Sequence, residues 1–160
     1  MVKAAKESLT RRYELLPFLY TQFVKAHLFG HPVVTPTFFH AHPGDKQAYF
    51  IDTQMFWGRE LLICPVLNED TFHVNAYLPS GIWYDYRNYY RISAKIPGFV
   101  TLSAPANIIP LLVRGGSVIP SQMSGSKTTK ERFVLLIRLK GCVNFNSNIP
   151  RQFLSFDHAL

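Results

Sequence analysis

The side chains able to do chemistry in this chain are few and scattered. Asp52 and Asp85 are the acids set among aromatic residues, in IDTQMFW and IWYDY, where an aromatic wall can raise a carboxyl pKa as a general acid requires. No spacing holds them a set distance apart, and a capping Asp52 with a turn-side Asp85 accounts for both. His31, His40 and His42 fall close together, and His40 and His42 would share one face of an extended strand. No Cys, Asp or Glu completes a ligand spacing beside them, so they read as loop histidines rather than a zinc site. Cys64, inside an apolar run and next to Pro65, lacks the exposed, electropositive setting of a nucleophile; it could pair with Cys142 or remain a buried thiol. Arg114, before Gly115-Gly116, reads as a sandwich-edge residue that hydrogen-bonds a carbonyl or pairs with an acid. No GxSxG elbow and no GxxxxGK[ST] or GxGxxG loop occurs. The residues by themselves nominate no catalytic, cofactor-binding or metal-binding set.

The elements that would position these groups change character along the chain. From about Ala4 to Leu28 the apolar residues Leu9, Tyr13, Leu16, Leu19, Tyr20, Phe23, Val24 and Leu28 recur at helical spacing, with Arg11, Arg12, Glu14, Gln22 and Lys25 on much of the other side. The spacing predicts one N-terminal helix, kinked near Tyr13 by Pro17 and stopped by Gly30 and Pro32. No second helix follows to cover the stripe, so its partner is expected outside the chain. VVTPTFF is a β-branched and aromatic run broken by Pro36, and HPGD at 42–45 is a turn. At IDTQMFWGRELLICPV an extended aromatic segment stops at Gly58, and Leu61 to Pro65 reads as a buried strand. FHVNAYLP, IWYDY, GFVTLSAP, IIPLLVRGG, SVIP and RFVLLIRL follow as short strands bounded by Gly, Pro or Ser. They predict an antiparallel sandwich or barrel, with Phe72, Val74, Ala76 and Leu78 on one face and a tight turn at Gly115-Gly116. SQMSGSKTTK, 121–130, has the composition of a linker.

Composition excludes several function classes. The 160 residues are 48% hydrophobic, which is globular and enough for one sizeable core. The 13 Phe, 8 Tyr and 2 Trp suit sheet packing better than a sugar-facing surface. The net charge of +7 is spread out, with Lys127, Lys130 and Arg132 as its densest group, so no basic stripe for nucleic acid forms. No apolar h-region opens the chain and no run approaches a membrane span. These features leave the compartment open.

Four motifs, in order and at matching spacing, carry a resemblance: RRYELLPFLYTQFVKAHLFG, IDTQMFWGRELLICPVL, VNAYLPSGIWYDY and IIPLLVRGGSVIP. Over about Leu9 to Leu139 the chain resembles the C-terminal part of the catalytic region of glycoside hydrolase family 31, on its α-glucosidase branch. The resemblance implies a mainly β fold with one N-terminal helix. That helix would be the last of a (β/α)8 barrel, followed by an antiparallel β-sandwich, with Asp52, Gln54, Met55, Phe56, Trp57 and Gly58 at the junction. The implied division is 1–48 for the end of the barrel, 49–122 for the sandwich, and 123–160 for a linker and the start of a distal β-domain.

The resemblance also locates the chemistry elsewhere. A retaining glycosidase needs two carboxyl groups about 5–5.5 Å apart. In this family both are aspartates on barrel loops upstream of the helix, in WxDMNE-like and GDN-like sequences, and neither sequence occurs here. The implied activity, hydrolysis of terminal α-linked glucose from an α-glucoside or maltooligosaccharide, therefore belongs to an intact parent whose barrel packs on the helix. No catalytic, cofactor or metal residue is assigned to this chain, which is expected to be inactive alone. The competing reading is a non-catalytic binding or structural module in which Trp57, Trp83, Tyr84 and Tyr86 grip a glucan or a partner domain. The chain departs from the family pattern where VVRPLFxEF becomes VVTPTFFHAH, losing an arginine at Thr35 and an acid near His42. It departs again where APLD becomes APAN at Asn107, and in GCVNFNSNIPRQFLSFDHAL, which has no obvious counterpart. The first change puts the local salt bridging in question.

Overall fold

A six-stranded sheet buried on both faces organises the fold. The computed structural model describes residues 2–122 and the two strand segments 137–141 and 154–157. Two helices, α1 (Val2–Glu14) and α2 (Leu16–Phe29), precede β1 (Val34–Pro36) and two 3-10 turns, Thr37–His40 and Lys46–Phe50. Nine strands are next: β2 (Met55–Trp57), β3 (Leu61–Ile63), β4 (His73–Leu78), β5 (Gly81–Asp85), β6 (Arg91–Ala94), β7 (Gly98–Ser103), β8 (Leu111–Arg114), β9 (Val118–Gln122) and β10 (Ile137–Gly141). The last described strand is β11 (Leu154–Asp157). The strand order is β1-β2-β3-β8-β5-β6 in the central sheet, with β4-β7 and β11-β10-β9 as smaller sheets, and all pairings are antiparallel.

Alternation along the central strands serves two cores at once. Phe56, Leu62, Cys64, Trp83 and Leu112 point to one face, where Ala76 and Leu78 of β4 and Leu102 of β7 close over them. Leu61, Ile63, Tyr84 and Val113 point to the other, against Leu15 and Phe18 of the helical region and Ile119 of β9. The uninterrupted apolar run at Leu61–Cys64 follows from this, because a strand covered on both sides has no solvent face to make polar. Phe56, Leu62 and Leu112 face one another directly across β2, β3 and β8.

The expected single helix is two. Leu15, at φ −88° and ψ 0°, separates α1 from α2, and Pro17 lies in the first turn of the second. Without an N–H, Pro17 cannot bond the Tyr13 carbonyl, although Leu15 N–H still reaches Arg11 O and Leu19 N–H reaches Leu15 O. Gly30, at φ +69°, ends α2 with its N–H on the Ala26 carbonyl. The helix face also differs from expectation. Leu15, Phe18 and Gln22 are buried against the sandwich, while Tyr20 (69% exposed), Phe23 and Leu28 (62% exposed) point away and Leu9 and Tyr13 are also exposed. The wider apolar stripe lies on the side this chain leaves open.

Gln22 is buried because of Gly58. This glycine sits at φ +58°, and a Cβ there would come within 2.7 Å of Gln22 Oε1 and 2.4 Å of Glu60 Oε2. Lys25 Nζ then meets Glu60 Oε1 at 3.5 Å, so α2 is seated on the β2–β3 turn. The turn expected at Gly115-Gly116 forms, with Ser117 N–H on Arg114 O, and carries the chain from β8 in the central sheet to β9 in a different one. The expected face of β4 needs correction. Phe72 is exposed, whereas Tyr77, on the opposite side of β4 from Ala76 and Leu78, is buried. Replacing Gly58 with Ala is expected to lower stability by about 1–2 kcal/mol through the left-handed backbone alone, and further if Gln22 is displaced. Urea denaturation of the two chains measures this, and an unchanged midpoint would contradict it.

Candidate functional site

Asp85 ends β5 and builds its turn: its Oδ1 accepts from the N–H of Arg87 at 2.7 Å and of Asn88 at 3.2 Å. Asp52 is exposed, three residues before β2. With β3 and β8 between them, β2 and β5 are three strand spacings apart, about 14 Å, against about 5–5.5 Å for a retaining carboxyl pair. The sheet does not bring these acids together as a pair.

The aromatic residues expected of a glucan grip are mostly interior. Trp83 is 0% exposed with its indole N–H on the Pro79 carbonyl, Tyr86 is 1% exposed and Tyr84 7%, and Trp57 is half-buried at the edge of the second core. Burial pushes the Cys64 thiol up to about 12, consistent with an inert core residue; Cys142 lies outside the described residues. The three histidines do separate things. His31 packs on Phe29, His42 Nδ1 accepts from Gly44 N–H in the expected 42–45 turn, and His40 lies in a 3-10 turn rather than a strand. Among the described residues no group of three or more His, Cys, Asp or Glu is placed to hold a metal ion, and no helix is long and apolar enough to cross a membrane.

Two polar arrangements were not visible in the sequence. The first is a clasp between Gln54 and β4, in which Gln54 Nε2 donates to the Tyr77 carbonyl at 2.7 Å and Tyr77 N–H donates to Gln54 Oε1 at 2.8 Å. The Tyr77 hydroxyl donates to Asp45 Oδ2 at 2.5 Å, and desolvation, then that carboxylate, holds its pKa well above the usual phenol value.

The second is a node at one corner of the sandwich. Arg114 ends β8, an interior strand of the central sheet, directly opposite Trp83, and makes the carbonyl contact expected of it. Its guanidinium sits 5.0 Å from the Trp83 ring and 5.8 Å from Phe56, Nη2 reaches the His40 carbonyl at 3.4 Å, and Nε is buried without a hydrogen-bond partner. The His40 ring is 4.5 Å from Phe56, and its Nε2 lies 2.8 Å from Thr35 Oγ1. Thr35, where the sequence departs from the family pattern, is thus in direct contact with His40 through this hydrogen bond.

A cleft of about 1000 Å³ runs between α1 and the central sheet, with Leu9, Met55, Trp57, Ile63, Ile109 and Leu111 among its lining and charged residues of α1 at its rim. It is an apolar groove, and no acid pair faces across it at short range.

The described residues form a β-rich unit with helices packed on one face of its central sheet. Residues 30–119 match the glycosyl hydrolase family 31 C-terminal domain, and the chain belongs to that family. Human intestinal sucrase-isomaltase is 44% identical over 135 residues, covering 82% of this chain and 7% of that protein. Bovine lysosomal α-glucosidase is 36% identical over 144 residues, covering 81% of this chain and 15% of that protein. The glucosidase II α subunit superposes with a TM-score of 0.71 at 39% identity, over 77% of this chain and 13% of the other. The chain thus spans a small share of the length of these relatives. As for Asp85, its replacement by Ala removes two acceptor contacts and is expected to cost about 1–2 kcal/mol, read as a lower melting temperature. An unaltered melt would mean that the turn does not depend on the carboxylate.

Proposed function

We propose that this chain is part of a retaining α-glucosidase, contributing the last helical region of the catalytic barrel and the sandwich that supports it, with both catalytic aspartates on barrel loops outside its residues. In this reading 1–48 ends the barrel, 49–122 is the sandwich, and 123–160 begins a linker and a distal β-domain; β1, within the first part, crosses over to pair with β2. The intact enzyme hydrolyses terminal α-linked glucose from α-glucosides or maltooligosaccharides through a glucosyl-enzyme intermediate.

One observation carries the reading. The helical region has two apolar faces, and only one is used: Leu15 and Phe18 are buried on the sandwich, while Leu9, Tyr13, Tyr20, Phe23 and Leu28 are exposed. A surface helix of a finished domain buries one stripe and turns polar residues outward. A helix lying between two domains is apolar on both sides, and the barrel is the occupant implied by the family. The interior position of Trp83, Tyr84 and Tyr86 weighs against the alternative of a non-catalytic glucan-gripping module.

The purified chain is expected to release no 4-nitrophenol from 4-nitrophenyl α-glucoside above a denatured control, to bind a hydrophobic dye and to self-associate in sedimentation. Measurable hydrolysis would overturn the placement of the catalytic carboxylates. A dye-silent monomer that melts cooperatively and binds maltooligosaccharide would favour the module instead.

A further inference from the structure

β1 is a three-residue strand at the edge of the central sheet, paired only with β2. The 3-10 turn that follows it, Thr37–His40, folds back so that His40 returns to β1. There the Thr35 hydroxyl and His40 Nε2 share a hydrogen bond of 2.8 Å, the ring packs at 4.5 Å on Phe56, and a backbone hydrogen bond joins the ring to Gly58. A hydroxyl can accept as well as donate, so protonation is opposed by the ring's packing on Phe56 beside the Arg114 guanidinium rather than by loss of the Thr35 contact. Beyond these, 33–40 is held by the short ladder to β2, by Gly58 N–H on Val33 O at 2.9 Å, and by Arg114 Nη2 on His40 O. Thr35 and Thr37 are also buried and the Phe38 ring stacks on Tyr49 at 5.3 Å, so the histidine is one of several fastenings of this segment and the one that can change its charge.

The charges facing it are mostly of one sign. Arg114 approaches from β8 and Arg59 from the β2–β3 turn. The acid on that side is Glu60, which is already engaged by Lys25 of α2 at 3.5 Å and by the Arg59 N–H at 2.9 Å. We propose that His40, packed on Phe56 beside Arg114, is an acid-sensitive latch, and that its protonation releases β1 and its 3-10 turn while the central sheet stays folded.

The sign follows from burial. Desolvation first, then Arg114 and Arg59, hold the folded His40 pKa below its ordinary 6.5, with Gly58 and Glu60 opposing. Between the lowered value and 6.5 the released state therefore binds more protons than the latched one. Stability of the latch is complete above about pH 6.5 and is lost as pH falls through the folded value.

Hydrogen exchange of the full chain at pH 7.5 and 5.5, corrected for intrinsic rates, tests this without any substitution. Peptides covering 34–40 should lose at least about threefold protection relative to those covering β3, β5 and β8. Equal relative protection at the two pH values overturns the latch. His40→Gln should abolish the selective loss, whereas the same loss in H40Q would assign it to another group. His40→Glu, which sets a carboxylate beside Arg114, should retain protection over the same interval, and a selective loss in H40E would also count against the proposal.

Discussion

The fold depends on one constraint: the β2–β3 hairpin must fill two cores from six side chains in two short runs, 56–57 and 61–64. Phe56, Leu62 and Cys64 enter one core and Trp57, Leu61 and Ile63 adjoin the other. Each fully buried aliphatic or aromatic side chain contributes about 1.5–3 kcal/mol, so neither face of the hairpin can be left uncovered. On one side β4 and β7 provide the cover. On the other it comes from the helical region and β9, and α2 is positioned by the same hairpin through Gly58, Gln22 and Glu60. Helix placement and sheet register are therefore set by a single turn.

That arrangement gives the family assignment a physical meaning. The region matched by the family, 30–119, contains the whole central sheet and the β4–β7 layer and begins just after α2 ends. What lies N-terminal to it is the element with two apolar faces. The sandwich fixes one of those faces by burying Leu15, Phe18 and Gln22, and so presents the other in a defined orientation. The supporting role proposed for this unit is then mechanical: it positions a helix while contributing no acid of its own to the chemistry.

Much of this was legible in the sequence where local pattern and tertiary need coincide. The strands at Leu61, Gly81, Gly98 and Leu111, the Gly30 stop and the 42–45 turn follow from apolar runs bounded by Gly, Pro and Ser. The helix face was not legible, because apolar periodicity marks a stripe without saying which neighbour it meets. Arg11, Gln22 and Lys25, placed by pattern opposite the stripe, turn toward the sandwich, and Arg11 lies over the Tyr86 ring at 5.3 Å. Pairings across long separations were equally hidden. Gln54 and Tyr77 are joined by hydrogen bonds whose partners no local composition predicts, and Arg114 could not be recognised as interior until strand order placed β8 between β3 and β5. The His40 node was half visible, as a departure from the family pattern at Thr35, which turns out to touch His40.

The Gln54 clasp has a further consequence for self-assembly. β4 and β7 form a two-stranded sheet, so each presents an outer edge whose backbone groups can recruit a strand from another chain. Gln54 offers Tyr77 a carbonyl and an amide in the geometry a neighbouring strand would use, and then ends, because a side chain cannot propagate a ladder. The C-terminal end of the β4 edge is thereby closed as a template for intermolecular β-pairing, and one primary amide does the work of a neighbouring strand there.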